Sequence, residues 1–176
     1  VTDHHEVKFK EENGVHIYQV PAADAVIDPH QEDCNYPYKE LCGAGVAYKL
    51  VRVLLEELEI DPAEAEYLIE NVAIATIGDV VNLTGENRIF VRTGLEMLKK
   101  TKNEGLKALF ECTGIDVENL NTYHIGFVIG PCINACGRLD TAKRALELLN
   151  APGRREAVMM AEDLKALNES RKEMTE

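Results

Sequence analysis

The sequence predicts an α/β fold in which many helices surround a few parallel strands, with a helix-rich C-terminal portion. Three observations carry this expectation. Apolar residues recur at helical spacing in several long stretches. A short apolar run between them ends in Asp-Pro, as buried strands do. The 176 residues, 45% hydrophobic and 28% charged, have the profile of one ordinary globular domain with enough chain to bury a core unaided.

Val1-Thr2 reads as the last two residues of a strand, so the chain has the look of a piece cut at both ends. His5 to Val20 forms a loop or short hairpin, with Asn13-Gly14 as its turn. Ala25-Val26-Ile27, closed by Asp28-Pro29, is a short buried strand. From Leu41 to Leu58 the residues Ala47, Leu50, Val51, Leu54 and Leu58 mark a helix. Asp61-Pro62 caps the next one, which runs through Leu68 into Val72-Ala73-Ile74-Ala75. Glycine and β-branched residues at 76–81 break it. Glu86 to Lys100 is helical, with Ile89, Val91, Leu95 and Leu98 inward. Leu106 to Phe110 is a short helix ended near Gly114, and Tyr123 to Ile129 a short apolar segment. Asp140 opens a helix through Leu149. After Pro152-Gly153 a final helix buries Ala157, Met160, Ala161, Leu164 and Leu167 and runs on without a stop signal.

Charge is unevenly spread. Residues 1–86 carry 5 basic and 18 acidic side chains, while residues 87–176 carry 14 and 13, within a total of −12. The first half is therefore suited to holding cations, and the second has the cations that meet phosphate. No window is apolar for long enough to span a membrane, which excludes that class. The five cysteines match no secreted scaffold, so a reducing, cytoplasmic setting is expected.

Asp3-His4-His5 combines carboxylate and imidazole, a donor set suited to Mn²⁺, Zn²⁺ or Fe²⁺, and stands at a strand's carboxyl end. A surface loop is the plainer explanation of the tripeptide alone. Asp79 lies among apolar residues at a helix break, where a carboxylate is costly to desolvate unless a positive group meets it. It can equally be a cap. Gly43 and Gly45 allow close backbone approach, either to an anion or in helix–sheet packing. In the run Gly130 to Leu139, small residues frame Asn134 and Arg138, an amide and a guanidinium fit to meet a phosphodiester. Cys132 and Cys136 are read as small buried hydrophobes.

Taken in order, Asp3-His4-His5, Ala23 to Pro29, Leu41 to Leu50, Ile77 to Val81 with Gly85-Glu86-Asn87-Arg88, and Ile129 to Arg138 resemble the DHH phosphoesterase superfamily. Within it the stretch is similar to the RecJ-like family of single-strand-specific 5′→3′ DNA exonucleases. The resemblance implies a two-metal site using Mn²⁺ or Mg²⁺, with His4 and Asp79 as ligands and Asp3 as a ligand or its partner. His5 would touch the phosphate or move a proton, and Asp3 would assist it. Asn134 and Arg138 would bind substrate phosphate, and Gly43 and Gly45 would pack near the site. Cys132 stands where the family usually has an arginine.

The same resemblance makes residues 1–152 the later part of a DHH domain and 153–176 the start of a connecting helix, with a second domain absent. The upstream aspartates of the family do not occur here. The intact parent is thus expected to hydrolyse single-stranded DNA in repair or recombination, while this chain alone is expected to be inactive. An uncovered sheet edge would favour self-association. Two alternatives stay open: a phosphodiesterase for short oligonucleotides or cyclic dinucleotides, and a non-catalytic metal-binding module.

Overall fold

A computed structural model describes residues 1–139 and 142–174, with the side chains of 136–139 outside that description. Two compact units divide the chain at Val1–Arg92 and Thr93–Glu176.

The first unit opens with a parallel bridge between Thr2 and Ile27. Its hydrogen bonds run from Ile27 N–H to the Val1 carbonyl (2.9 Å) and from Asp3 N–H to the Ile27 carbonyl (3.0 Å). Among the described residues, the expected parallel strands are reduced to this bridge. Between its two halves lies an antiparallel hairpin, β1 (Phe9–Glu12) and β2 (Val15–Tyr18), with Phe9 opposite Tyr18 and Glu12 opposite Val15. Asn13 and Gly14 both have positive φ (55° and 79°), the backbone that a two-residue hairpin of native twist requires.

Helix α1 (Gly43–Glu57) follows. Asp61 then caps a 3-10 turn at Pro62–Leu68 by accepting a hydrogen bond from Ala63 N–H, and α2 (Ile69–Gly78) continues from it. Helix α3 (Gly85–Leu98) crosses the division between the units. The first core packs Leu41, Val46, Tyr48, Ala65, Val72 and Phe90 together, with Tyr48 and Phe90 edge to face at 5.5 Å. Two sequence expectations fail in this unit. Leu54 and Leu58 are exposed, because Val46, Val51 and Leu55 form the side of α1 that reaches the core. Ile89 also faces outward, while Val91 is buried as expected and Phe90 joins it on the buried side of α3.

The second unit is helical. Asn103 caps α4 (Glu104–Thr113), accepting from Leu106 N–H, and Gly114 closes it in the left-handed conformation. A 3-10 turn at Val117–Asn119 leads to α5 (Thr122–His124), capped by Asn121. The backbone then widens to π geometry over Ile125–Ile129, with Gly130 N–H reaching the Ile125 carbonyl, before α6 (Gly130–Leu139). Pro131 explains the widening: it has no N–H to give, and its ring crowds the carbonyl four residues back. The short apolar segment 123–129 is therefore helical.

Helix α7 (Lys143–Leu149) begins past Asp140, so the expectation that Asp140 opens this helix lies outside the described residues. Helix α8 (Arg154–Glu173) follows its N-cap Gly153 and buries Ala157, Ala161 and Leu164 at the predicted spacing. Around these lie Leu98, Leu106, Leu109, Phe110, Ile125, Ile129 and Leu148, each almost wholly buried. Cys132 is buried too, its sulfur receiving the Asn168 amide at 3.6 Å. Burial pushes the Cys112 and Cys132 thiols up, as expected of cysteines that serve as small hydrophobes.

Candidate metal centre

The bridge between Thr2 and Ile27 decides where the chemistry-bearing tripeptide lies. It ends at Asp3, after which the chain turns through a local hydrogen-bond cluster. The Asp3 Oδ1 accepts from His4 N–H (2.7 Å), His5 N–H (3.3 Å) and the His5 ring at Nδ1 (2.7 Å). The hydrogen bond from His5, followed by that from His4 N–H, lowers the Asp3 carboxyl from its ordinary 3.8 to about 2. The same hydrogen bond raises His5, with the Asp3 charge next in importance and smaller help from Asp79 and Asp28. Two consequences follow. Asp3 is ionised throughout the neutral range, and His5 presents Nε2 away from Asp3.

His4 is the more sheltered imidazole. Its ring lies 4.4 Å from that of His5, tilted by 42°. Its Nε2 is 3.5 Å from the Asp79 Oδ2. Asp79 is the C-terminal cap of α2, with its N–H on the Ala75 carbonyl at 2.8 Å, so the helix end aims its carboxylate. Room for the His4 ring comes from Gly43 at the start of α1, where a Cβ would sit 3.2 Å from the His4 Cδ2. Gly45 plays no such part. A Cβ there would meet Leu41, in the segment just before the helix.

One donor atom from each of Asp3, His4 and His5 lies within 4.8 Å of the others, the one such grouping among the described residues. Imidazole with carboxylates is a donor set for Mn²⁺-like ions. The His4–Asp79 separation also fits two donors sharing a small cation with bonds of about 2.1 Å. These residues therefore fit a divalent metal.

Asn134 is an exposed residue of α6 in the second unit, and the side chain of Arg138 lies outside the described residues. Sequence reading missed Asp28, treating it only as a strand terminator. It is nearly buried, accepts from His30 N–H at 2.9 Å, and its charge acts on His5. A carboxylate directly after a strand that pairs with the Asp3 segment was the available signal.

Known proteins share this arrangement of sequence and fold, although no protein-family model matches the chain. The single-stranded-DNA-specific exonuclease RecJ of Bacillus subtilis is 39% identical over 174 residues, spanning 99% of this chain and 20% of that protein. RecJ of Escherichia coli is 38% identical over 165 residues, covering 88% of this chain and 29% of its own length. Among solved structures, RecJ from Thermus thermophilus in complex with Mn²⁺ superposes with a TM-score of 0.77 at 32% identity. That match covers 97% of this chain and 24% of the other. The chain thus spans about a fifth to a third of the length of the curated relatives it matches.

Proposed function

We propose, on the premise that this chain is a segment of a RecJ-like exonuclease, that it supplies one side of a metal-dependent phosphodiesterase site acting on single-stranded DNA. The observation that carries the reading is the His4–Asp79 pair at 3.5 Å beside the Asp3–His5 pair, two imidazoles and two carboxylates in one place. Residues 1–152 form the later part of the catalytic domain, and 153–176 begin a connecting helix. The setting is cytoplasmic. No described helix is long and apolar enough to cross a bilayer.

His4 and Asp79 would hold a divalent ion, with Asp3 as a third donor or as the anchor of His5. Such an ion, when bound, lowers the pKa of water and offsets charge on the scissile phosphate. The chain's own side chains do the rest. Asp3 fixes the His5 ring through Nδ1, which leaves Nε2 to meet a phosphate oxygen or hold a proton. His5 is raised above its ordinary value, so it carries that proton further into the neutral range. Asn134 and Arg138 grip substrate phosphate.

The test uses the longer parent protein with Mn²⁺ on long single strands and on di- to pentanucleotides. Cleavage of the long strands that is lost in His4→Ala and in Asp79→Asn supports the reading. Activity confined to the shortest oligonucleotides overturns it.

A further inference from the structure

His4 and Asp79 stand on different elements, the chain's first turn and the end of α2, yet one short segment touches what lies beneath each. This segment, Tyr38 to Gly43, runs directly into α1. At one end Gly43 lies under the His4 ring, at a spacing where even a methyl group would push the imidazole. In the middle the buried Cys42 sulfur meets the Thr76 hydroxyl at 3.3 Å. Thr76 lies in α2, three residues before Asp79, and its hydroxyl already donates to the Val72 carbonyl at 2.7 Å. The Cys42 thiol is therefore the donor in the first contact.

At the other end the segment holds the loop that follows Asp79. The Glu40 Oε2 accepts from the Asn82 amide at 3.0 Å. Asn87, wholly buried, donates to both the Glu40 carbonyl (2.6 Å) and the Asn82 carbonyl (3.0 Å). The Tyr38 hydroxyl donates to the Thr84 carbonyl at 2.7 Å, and its ring covers Gly85. Gly85 has φ of 44° and a Cβ there would lie 2.6 Å from the ring, so both backbone and space demand glycine. Val80, next to Asp79, is held in the left-handed region at φ 59° although its side chain is exposed. A β-branched residue adopts that conformation only where its surroundings impose it.

We infer that Tyr38 to Gly43 is a positioning strap that sets the distance between His4 and Asp79, with Gly43 gauging the imidazole and Glu40 gauging the carboxylate. Its residues touch no substrate; they act through the two they place. The inference rests on the metal reading above, and its test separates the two.

The experiment uses the full 176-residue chain with Glu40→Ala, Glu40→Gln, Gly43→Ala, His4→Ala and Asp79→Asn. Binding of Mn²⁺ is read from loss of the free-ion EPR signal. The His4 imidazole and Asp79 carboxyl NMR signals are read without metal, with circular dichroism as the check on folding. The strap predicts that Glu40→Ala and Gly43→Ala each weaken Mn²⁺ binding about tenfold, the loss usual for an outer partner of a ligand. Glu40→Ala should move the Asp79 signal, Gly43→Ala should move the His4 signal, and both should keep native helicity. Glu40→Gln retains an oxygen for the Asn82 amide and should behave as the unsubstituted chain. Unmoved signals in Glu40→Ala and Gly43→Ala, or equal loss in Glu40→Gln, overturn the strap. Mn²⁺ binding indifferent to His4→Ala and Asp79→Asn overturns the metal reading instead, and the metal-free signals still judge the strap.

Discussion

Gly105 and Gly114 both belong to the neighbourhood of α4, yet glycine is needed at them for different reasons. A Cβ on Gly105 would lie 2.0 Å from the Leu148 carbonyl oxygen, a contact with backbone that no rotamer can relieve. Gly105→Ala must therefore push α4 from α7, and overpacking of this kind costs about 2–3 kcal/mol. Gly114 meets nothing within 4 Å, but its φ is 71°. Gly114→Ala should cost only the conformational penalty of the left-handed region, about 1 kcal/mol. Urea unfolding of both variants checks the pair. Equal losses would show that the close approach of α4 to Leu148 has been misread.

At the scale of elements, the anchorage of α3 to α1 depends on a charged group. Glu86, in the first turn of α3, receives the Lys49 ammonium and, at 2.6 Å, the Tyr36 hydroxyl. Burial works against the Glu86 charge, but the hydrogen bonds from Lys49 and Tyr36 outweigh it and lower the carboxyl below its ordinary 4.5. A depressed carboxyl stabilises the fold above its unfolded-state value and ceases to do so as pH falls through the folded one. Unfolding measured from about pH 7 down to about pH 3 should show this acid-side loss, and Glu86→Gln should flatten it. An unchanged slope would mean that the ion pair contributes nothing there. The hairpin offers a contrast. Phe9, Val15 and Ile17 are all exposed, and a two-stranded ribbon without a covered face is marginal in water. Amides of β1 and β2 should therefore exchange with solvent well before those of α4 and α8, whose apolar faces are buried. Hydrogen-exchange mass spectrometry would reveal the opposite order if β1 and β2 were the more stable pair.

At the scale of the whole molecule, the proposed activity depends on how many donors the site has. Two cations a few ångströms apart need carboxylates to offset their repulsion, and the described residues of this site supply Asp3 and Asp79 beside two imidazoles. The chain by itself is expected to hydrolyse no single-stranded DNA in a His4-dependent way, even with excess Mn²⁺. Turnover lost in His4→Ala would refute this. The first unit also exposes the apolar side chains of Val53, Leu54, Leu58 and Ile60, and exposed apolar surface favours association with another copy. Sedimentation velocity at rising concentration should show the chain moving to larger species, and a concentration-independent monomer would count against it.

Local chemistry sufficed for much of this. The Asn13-Gly14 turn, the Asp61 cap, the Gly114 stop and the buried stripe of α8 depend on backbone preference and spacing within a few residues, which any stretch of sequence displays. The order Asp3-His4-His5, Gly43-Ala44-Gly45, Asp79 and Gly130 to Arg138 likewise carried the resemblance without any knowledge of the fold. What sequence could not decide was which face of a helix meets a partner. Leu54, Leu58 and Ile89 have the right spacing but stay exposed, because burial belongs to contacts between elements distant in sequence. Nor could it place Asp28, or show that Gly43 makes room for His4 while Gly45 does not. Those depend on a parallel bridge from Thr2 to Ile27 and on the close approach of α1 to the first turn. Such separations along the chain are closed only by the tertiary fold, and it alone brings Asp79 within 3.5 Å of His4.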